Sequence, residues 1–266
     1  MLDKLFKRKE SQVTEEWDYA TMFGPGMNFA VAEAYKLLRT NIMFSFPEEG
    51  QCHILGVTSS VLGEGKSTTC CNIAYSLTQA GKRVLLLEAD LRRPSIATKL
   101  GLERKPGLTN LLVTRGDYRE AIQNCAEASR LDILVSGSIP PNPSELLGSK
   151  RMARLMETIA QDYDYIVVDL PPVTAVSDAI AMSKLLDGVV MVVRSGVVDR
   201  KTLAEAMRQM QMVNVRILGF VYRDSENVSG RYGGRYGGKY GGKYGKKYYK
   251  SGSEYLQSPA MTKESQ

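Results

Sequence analysis
The stretch Thr58-Ser59-Ser60-Val61-Leu62-Gly63-Glu64-Gly65-Lys66-Ser67-Thr68 contains residue types that hold phosphate. Gly63 and Gly65 let successive backbone N–H groups turn toward one point. Lys66 has the reach to meet outer phosphate oxygens, and the Ser67 hydroxyl can ligate magnesium. The candidate cofactor-binding residues are therefore Leu62, Gly63, Glu64, Gly65, Lys66, Ser67 and Thr68. The full pattern has glycine at position 60, where this chain has Ser60, so an ordinary strand-to-helix turn is the bland competing reading. Two further acidic stretches bear on the choice. Glu88 and Asp90 follow a short apolar run, spaced to project to the same side of an extended chain. Asp169 ends the run Tyr165-Ile166-Val167-Val168, about 100 residues after the loop. An apolar strand ending in Asp is where a nucleoside-triphosphatase site holds magnesium, directly or through water.

These residues do chemistry together only if parallel strands bring them side by side. Residues 54–57 are apolar and partly β-branched before the loop, and residues 69–79 are helix-like after it. Strands are expected at 83–87, 131–135, 165–169, 188–193 and 216–222, with helices at 29–44, 177–186 and 200–213. Short helical pieces fall at 108–113 and 118–125. A long helix, capped by Ser144, is expected to run to about residue 161. The alternation predicts an α/β fold: a doubly wound, mostly parallel sheet with helices on both faces, of the P-loop NTPase type. On the first helix Glu33, Lys36 and Arg39 fall at i, i+3 and i+6. They form a charged ridge whose simplest reading is a solvated surface with one ion pair.

The 266 residues divide into an N-terminal arm (1–27), a globular domain (28–228) and a tail (229–266). With 43% hydrophobic residues the domain can build a sizeable core. Four cysteines without metal-ligand spacing and a single histidine, His53, argue against a zinc site. Residues 1–16 have no apolar core and are not expected to act as a secretory signal, and Arg194 interrupts the longest apolar run. The tail has eight basic and two acidic residues, which accounts for the whole net charge of +6 and leaves the rest balanced. A folded nucleic-acid-binding face would put that charge on the body, so no nucleic acid is expected as a partner. Within the tail Tyr232, Tyr236, Tyr240, Tyr244, Tyr248, Tyr249 and Tyr255 alternate with glycine and basic residues. Such a composition cannot bury a core and is expected to be disordered. Its residues alone fit a linker, an RGG-like segment or a set of substrate tyrosines. A flexible chain of 38 residues reaches roughly 31–37 Å.

Taken in order, these features resemble the bacterial tyrosine kinases that accompany capsule and exopolysaccharide synthesis, in their soluble Gram-positive form. The resemblance spans about residues 28–255. Gly63 to Ser67 is similar to the family's Walker A loop, Leu85 to Arg92 to its second acidic motif, and Ile166 to Pro172 to Walker B. Glu33, Lys36 and Arg39 match its oligomerisation motif, and the tyrosine cluster is a further hallmark. The resemblance implies transfer of the ATP γ-phosphoryl group to tyrosine, with Mg²⁺. The implied catalytic residues are Lys66, Glu88, Asp90, Arg92 and Asp169, and the implied metal shell is Ser67, Asp90 and Asp169. Asp90 or Glu88 would take the tyrosine proton, and Arg92 would stabilise transition-state charge. The implied substrates are the tail tyrosines of a neighbouring copy in a homo-oligomeric ring, an octamer being one implied size. A transmembrane activator would recruit the cytoplasmic chain to the inner face of the membrane, with low activity expected in its absence. A cognate tyrosine phosphatase is the further implied partner. Three positions depart from the family: Glu88 stands where it has Asp, Lys36 where it has Arg, and Tyr222-Arg223 where an apolar residue and Asn lie near the adenine. Glu88 and Arg223 keep open a non-catalytic nucleotide-dependent scaffold. A partitioning-type P-loop ATPase is the other alternative, but its early second lysine would fall at Val61.

Overall fold
The computed structural model describes residues 23–24, 27–46, 50–114, 116–125 and 128–223. The expected arm (1–27) lies almost wholly outside the described residues, and the tail with its seven tyrosines lies entirely outside them. The described body is one compact unit that ends at Arg223. Its elements are α1 (Phe29–Ser45), β1 (His53–Ser59), α2 (Lys66–Thr78), β2 (Val84–Glu88), α3 (Ile96–Lys99) and α4 (Leu108–Thr114). Then follow β3 (Gln123–Cys125), β4 (Ala128–Leu134), α5 (Pro143–Leu147), α6 (Lys150–Ile159) and β5 (Tyr165–Asp169). The last four are α7 (Asp178–Met182), β6 (Gly188–Arg194), α8 (Arg200–Met212) and β7 (Ile217–Arg223).

The strands form one seven-stranded sheet in the order β3-β4-β2-β5-β1-β6-β7, parallel except for the edge pair β3–β4. Strands β2 and β5 are buried at every position, as expected for parallel strands covered on both faces. Their side chains alternate between two cores. Leu85, Leu87, Ile166 and Val168 join the core that contains Met152, Met156 and Met210, whereas Val84, Leu86, Tyr165 and Val167 join the core that contains Cys70, Ile73 and Leu77 of α2. The doubly wound α/β expectation is met. Register then positions the chemistry: Asp169 pairs with Val57 on one side and with Glu88 on the other. The ends of β1, β2 and β5 therefore lie level with one another, directly under the loop that leads into α2.

Two expected elements differ. The single helix from Ser144 to about residue 161 is two helices, α5 and α6, separated at Gly148 and Ser149. Asn142, not Ser144, sits at the N-cap of α5, with Pro143 at its first position. The Ser149 hydroxyl accepts the Met152 N–H at 3.1 Å and starts a second helix there. The helical piece expected at 118–125 is one 3₁₀ turn, Tyr118–Ala121, followed by β3. Pairing with β3 carries β4 back to Ala128, so that strand starts earlier than the apolar pattern suggested.

Candidate functional site
The chain leaves β1 through a loop that Gly63 and Gly65 close with φ of 82° and 86°. A side chain at either φ would be strained. Ser60 is not in that conformation, so the serine is tolerated where the pattern has glycine. Glu64 turns inward: Oε2 accepts the Val61 N–H at 2.8 Å and Oε1 the Arg194 N–H at 3.2 Å. Its carboxylate thus braces the loop instead of facing a ligand. Gly65 is the N-cap of α2, so the positive end of that helix opens beneath the loop.

Lys66 and the strand-end acids converge there. Its Nζ lies 2.7 Å from Asp90 Oδ2 and 3.4 Å from Asp169 Oδ1, and donates to Ser67 Oγ at 3.2 Å. Burial works to lower the Lys66 pKa, but Asp169 and Asp90 outweigh it and hold the ammonium above its ordinary value. Burial is also the main influence on Asp169 and pushes its pKa up to about 6 even with Lys66 pulling the other way. Asp169 Oδ2 is buried with no hydrogen-bond partner among the described residues. A buried acceptor left over in this way is costly unless a ligand or its water completes it.

Leu62, Gly63, Gly65, Lys66, Ser67, Thr68 and Asp90 line a cleft of about 280 Å³ over the loop. Glu88 and Arg92 are not brought into it. Glu88 is fully buried; Oε1 accepts the N–H groups of Ser95 and Ile96, both at 2.6 Å, and Oε2 accepts the Ser136 N–H at 3.0 Å. A carboxylate so occupied is a brace for the 90–96 segment, and the acid facing the cleft is Asp90. Asp90 Oδ1 in turn accepts the Arg93 N–H at 3.0 Å. Arg92 turns to Asp178, with Nε 2.8 Å from Oδ2 and Nη2 3.0 Å from Oδ1. That pair ties the acidic stretch to α7. The neighbouring Arg93 lines the cleft instead, with Ser95, Lys99, Arg194 and Arg223; of these the sequence had singled out only Arg223, as a departure from the family pattern and not as a binding residue. Arg194 and Arg223 end β6 and β7, and the carboxyl ends of parallel strands are where ligands bind, so that rule could have found both. Arg93 and Lys99 carried no such signal.

The donor set fits magnesium. Among the described residues no three acidic, histidine or cysteine ligands cluster, so the site does not build an all-protein metal cage. Mg²⁺ keeps several waters and takes other oxygens from phosphates. A serine hydroxyl, Asp90 and an Asp169 oxygen without a partner suit that habit. On α1, Lys36 Nζ pairs with Glu33 Oε1 at 2.6 Å, and Arg39 Nη1 instead donates to the Ser76 carbonyl at 2.8 Å. No helix among the described residues is long and apolar enough to cross a membrane.

Residues 51–250 match the family model described as ParA, NUBPL iron-transfer P-loop NTPase. The chain is 40% identical over 190 residues to the tyrosine-protein kinase YwqD of Bacillus subtilis (strain 168), covering 71% of this chain and 79% of that one. The solved chimerical protein CapA2B2 is 34% identical with a TM-score of 0.68, over 73% of this chain and 84% of that one. The kinase domain of the Escherichia coli tyrosine kinase ETK is 30% identical with a TM-score of 0.70, over 78% and 80% of the two chains.

Proposed function
Since the chain belongs to the bacterial protein-tyrosine kinases of the capsule-synthesis type, we propose that its cleft transfers the γ-phosphoryl group of ATP to the tail tyrosines of a neighbouring copy. The observation that carries this reading is Lys66 held between Asp90 and Asp169 above the glycine loop, at the N-terminus of α2. Loop amides, the helix end and Lys66 hold the phosphates. Ser67, Asp90 and Asp169 would hold Mg²⁺, which would neutralise charge on the phosphate oxygens. Asp90 takes the proton from the incoming tyrosine, whose hydroxyl with a pKa near 10 is otherwise a weak nucleophile. Positioning and charge account for the rate, and no covalent intermediate on the protein is needed.

The tail's seven tyrosines and its reach of roughly 31–37 Å support transfer in trans. Mixing two chains tests it: Lys66→Met with an intact tail, and a parent chain with all seven tail tyrosines changed to phenylalanine. Phosphotyrosine on the Lys66→Met chain is the expected result, and its absence there overturns transfer between copies. Assembly rests on α1, where Glu33 and Lys36 share an outer face with the exposed Leu37 (64%) and Phe44 (82%). A second copy would cover these residues in the ring. Seven phosphates would move the tail from +6 to about −4.5 to −8, which disengages it and breaks the ring. Light scattering of fully phosphorylated and dephosphorylated samples checks this, and equal masses refute it. The two-part CapA2B2 chimera supports a kinase that works with a second polypeptide. Here that is a membrane activator that brings the chain to the inner face of the membrane and so controls polymer synthesis, with a tyrosine phosphatase resetting the tail.

A further inference from the structure
Arg223, the last residue of β7, is one of the three departures from the pattern of the family that the chain resembles. Its side chain nevertheless reaches the phosphate loop. A β-carbon placed on Gly65 would overlap the Arg223 guanidinium, with even Nε only 3.1 Å away. Gly65 therefore has two reasons to lack a side chain: its left-handed backbone and the guanidinium packed on it. Arg223 is 8% exposed and lines the same cleft as Lys66, Ser67 and Asp90.

Backbone contacts hold the residue in place. Arg223 pairs with Arg194 across β6 and β7, and its carbonyl accepts the Ser195 N–H at 2.8 Å. Arg194 belongs to the frame of the loop: Nη1 donates to the Gly63 carbonyl at 3.1 Å. The cleft is lined by five basic residues, Lys66, Arg93, Lys99, Arg194 and Arg223, against one acidic residue, Asp90. Lys66 and Arg223 are each only 8% exposed, and an anion entering the cleft meets both. A nucleotide polyphosphate is such an anion, and a guanidinium suits it by presenting paired donors to phosphate oxygens.

We infer that Arg223 is a nucleotide-binding residue that grips the phosphates from the β7 side of the cleft, so that charge takes the place of base-edge reading at this position. The inference rests on the ATP-site reading above and concerns how that site selects its ligand. An amide at this place can distinguish the hydrogen-bonding edges of adenine and guanine, because it has one donor end and one acceptor end. A guanidinium only donates and is drawn to phosphates that both nucleotides share. Affinity at this site should therefore depend on phosphate number and on salt, with weak discrimination between ATP and GTP.

The test uses the full chain with Mg²⁺ and measures the affinity of ATP, ADP and GTP by calorimetry at low and high salt, for the parent, Arg223→Ala, Arg223→Lys, Arg223→Asn and Lys66→Met. Loss of one charge-assisted contact predicts that Arg223→Ala weakens ATP binding about tenfold and flattens its salt dependence. Arg223→Lys should recover most of the loss, because the charge remains. Arg223→Asn should weaken GTP more than ATP and so widen the preference for adenine. Unchanged or tighter ATP binding by Arg223→Ala overturns the inference, the tighter case meaning that the guanidinium competes with phosphate. If Lys66→Met abolishes binding while the Arg223 variants behave as the parent, only the role of Arg223 falls. If Lys66→Met also binds ATP normally, the ATP-site reading falls with it. Circular dichroism melts on every variant separate lost contacts from lost fold, and Arg223→Lys supplies the conservative comparison.

Discussion

At the carboxyl ends of β1, β2 and β5, a cleft of about 280 Å³ gathers Lys66, Asp90 and four more basic side chains above the buried Asp169. At the amino ends of β2, β4 and β5, a pocket twice that size, about 560 Å³, is lined by Arg83, Tyr118, Arg119, Arg130, Asp132, Asp162 and Tyr163. Volume alone would favour the second. Its groups, however, close on one another. Asp162 takes both the Tyr118 hydroxyl and Arg119, whose guanidinium stacks 4.8 Å from the Tyr118 ring. The Tyr163 hydroxyl and the Asn124 amide, each at 2.7 Å, satisfy Asp132, and Arg130 caps the Gly81 carbonyl at 2.7 Å. Beneath the cleft, by contrast, Asp169 Oδ2 has no hydrogen-bond partner among the described residues, and five basic side chains line the cleft itself. A ligand site is marked by bonding capacity left open, and a pocket whose charges are mutually satisfied is a surface.

The largest effect expected separates these ends by substitution. Lys66→Met should lower phosphotyrosine formation at least about 100-fold, because the ammonium acts where charge is transferred. Arg119→Ala, at the opposite end, should leave nucleotide affinity and phosphorylation unchanged; a comparable loss from Arg119→Ala would break the comparison. Next is Glu88, the acid held away from the cleft by backbone amides. Glu88→Ala leaves the buried Ile96 and Ser136 N–H groups and the part-buried Ser95 N–H without their acceptor and should cost about 3 kcal/mol or more in urea unfolding. Glu88→Asp is one methylene short of those amides and should also destabilise. A stable and more active Glu88→Asp chain would return Glu88 to the chemistry.

The pH dependence follows from Asp169. Its folded pKa of about 6 lies above the ordinary carboxylate value of 3.8, so the folded chain holds its proton more tightly than the unfolded chain. That contribution to stability is complete below about pH 4 and is lost as pH rises through 6, by up to about 3 kcal/mol. Magnesium-dependent nucleotide binding should strengthen over the same window, since the ionised carboxylate is the form that binds. Denaturant titrations from pH 4 to 7 should show the fall in the parent and not in Asp169→Asn; equal slopes would refute it. The smallest effect is at the closed pocket. The Tyr118 hydroxyl, with Arg119, holds the Asp162 carboxyl below its usual range. Tyr118→Phe should raise the Asp162 midpoint in a carboxyl NMR titration and leave kinase activity as it was; an unmoved midpoint would show that the hydroxyl contributes nothing.

The loop and its acids were legible because each signal is local. Two glycines, a lysine and a serine lie within five residues, and β2 and β5 are unbroken apolar runs that end in carboxylates. Which carboxylate faces the ligand was not legible. Glu88 and Asp90 share a parity, yet the amides that occupy Glu88 come from Ser95, Ile96 and Ser136, and Ser136 is 48 residues away. Arg92 and Arg93 are likewise indistinguishable until Asp178, 86 residues on, takes the first and leaves the second over the cleft. The edge strand β3 is three residues long and has no periodicity to read. The break between α5 and α6 depended on Gly148 and on the Ser149 cap, inside a pattern that otherwise continues as helix.

The most direct test is site-resolved mass spectrometry of residues 229–266 on chain isolated from its own cells, parent against Lys66→Met expressed at the same level. Phosphate on Tyr232 through Tyr255 in the parent and none in the variant is the expected result. A tail that stays unmodified in a parent chain shown to bind nucleotide would contradict the account, as would equal phosphorylation of the two.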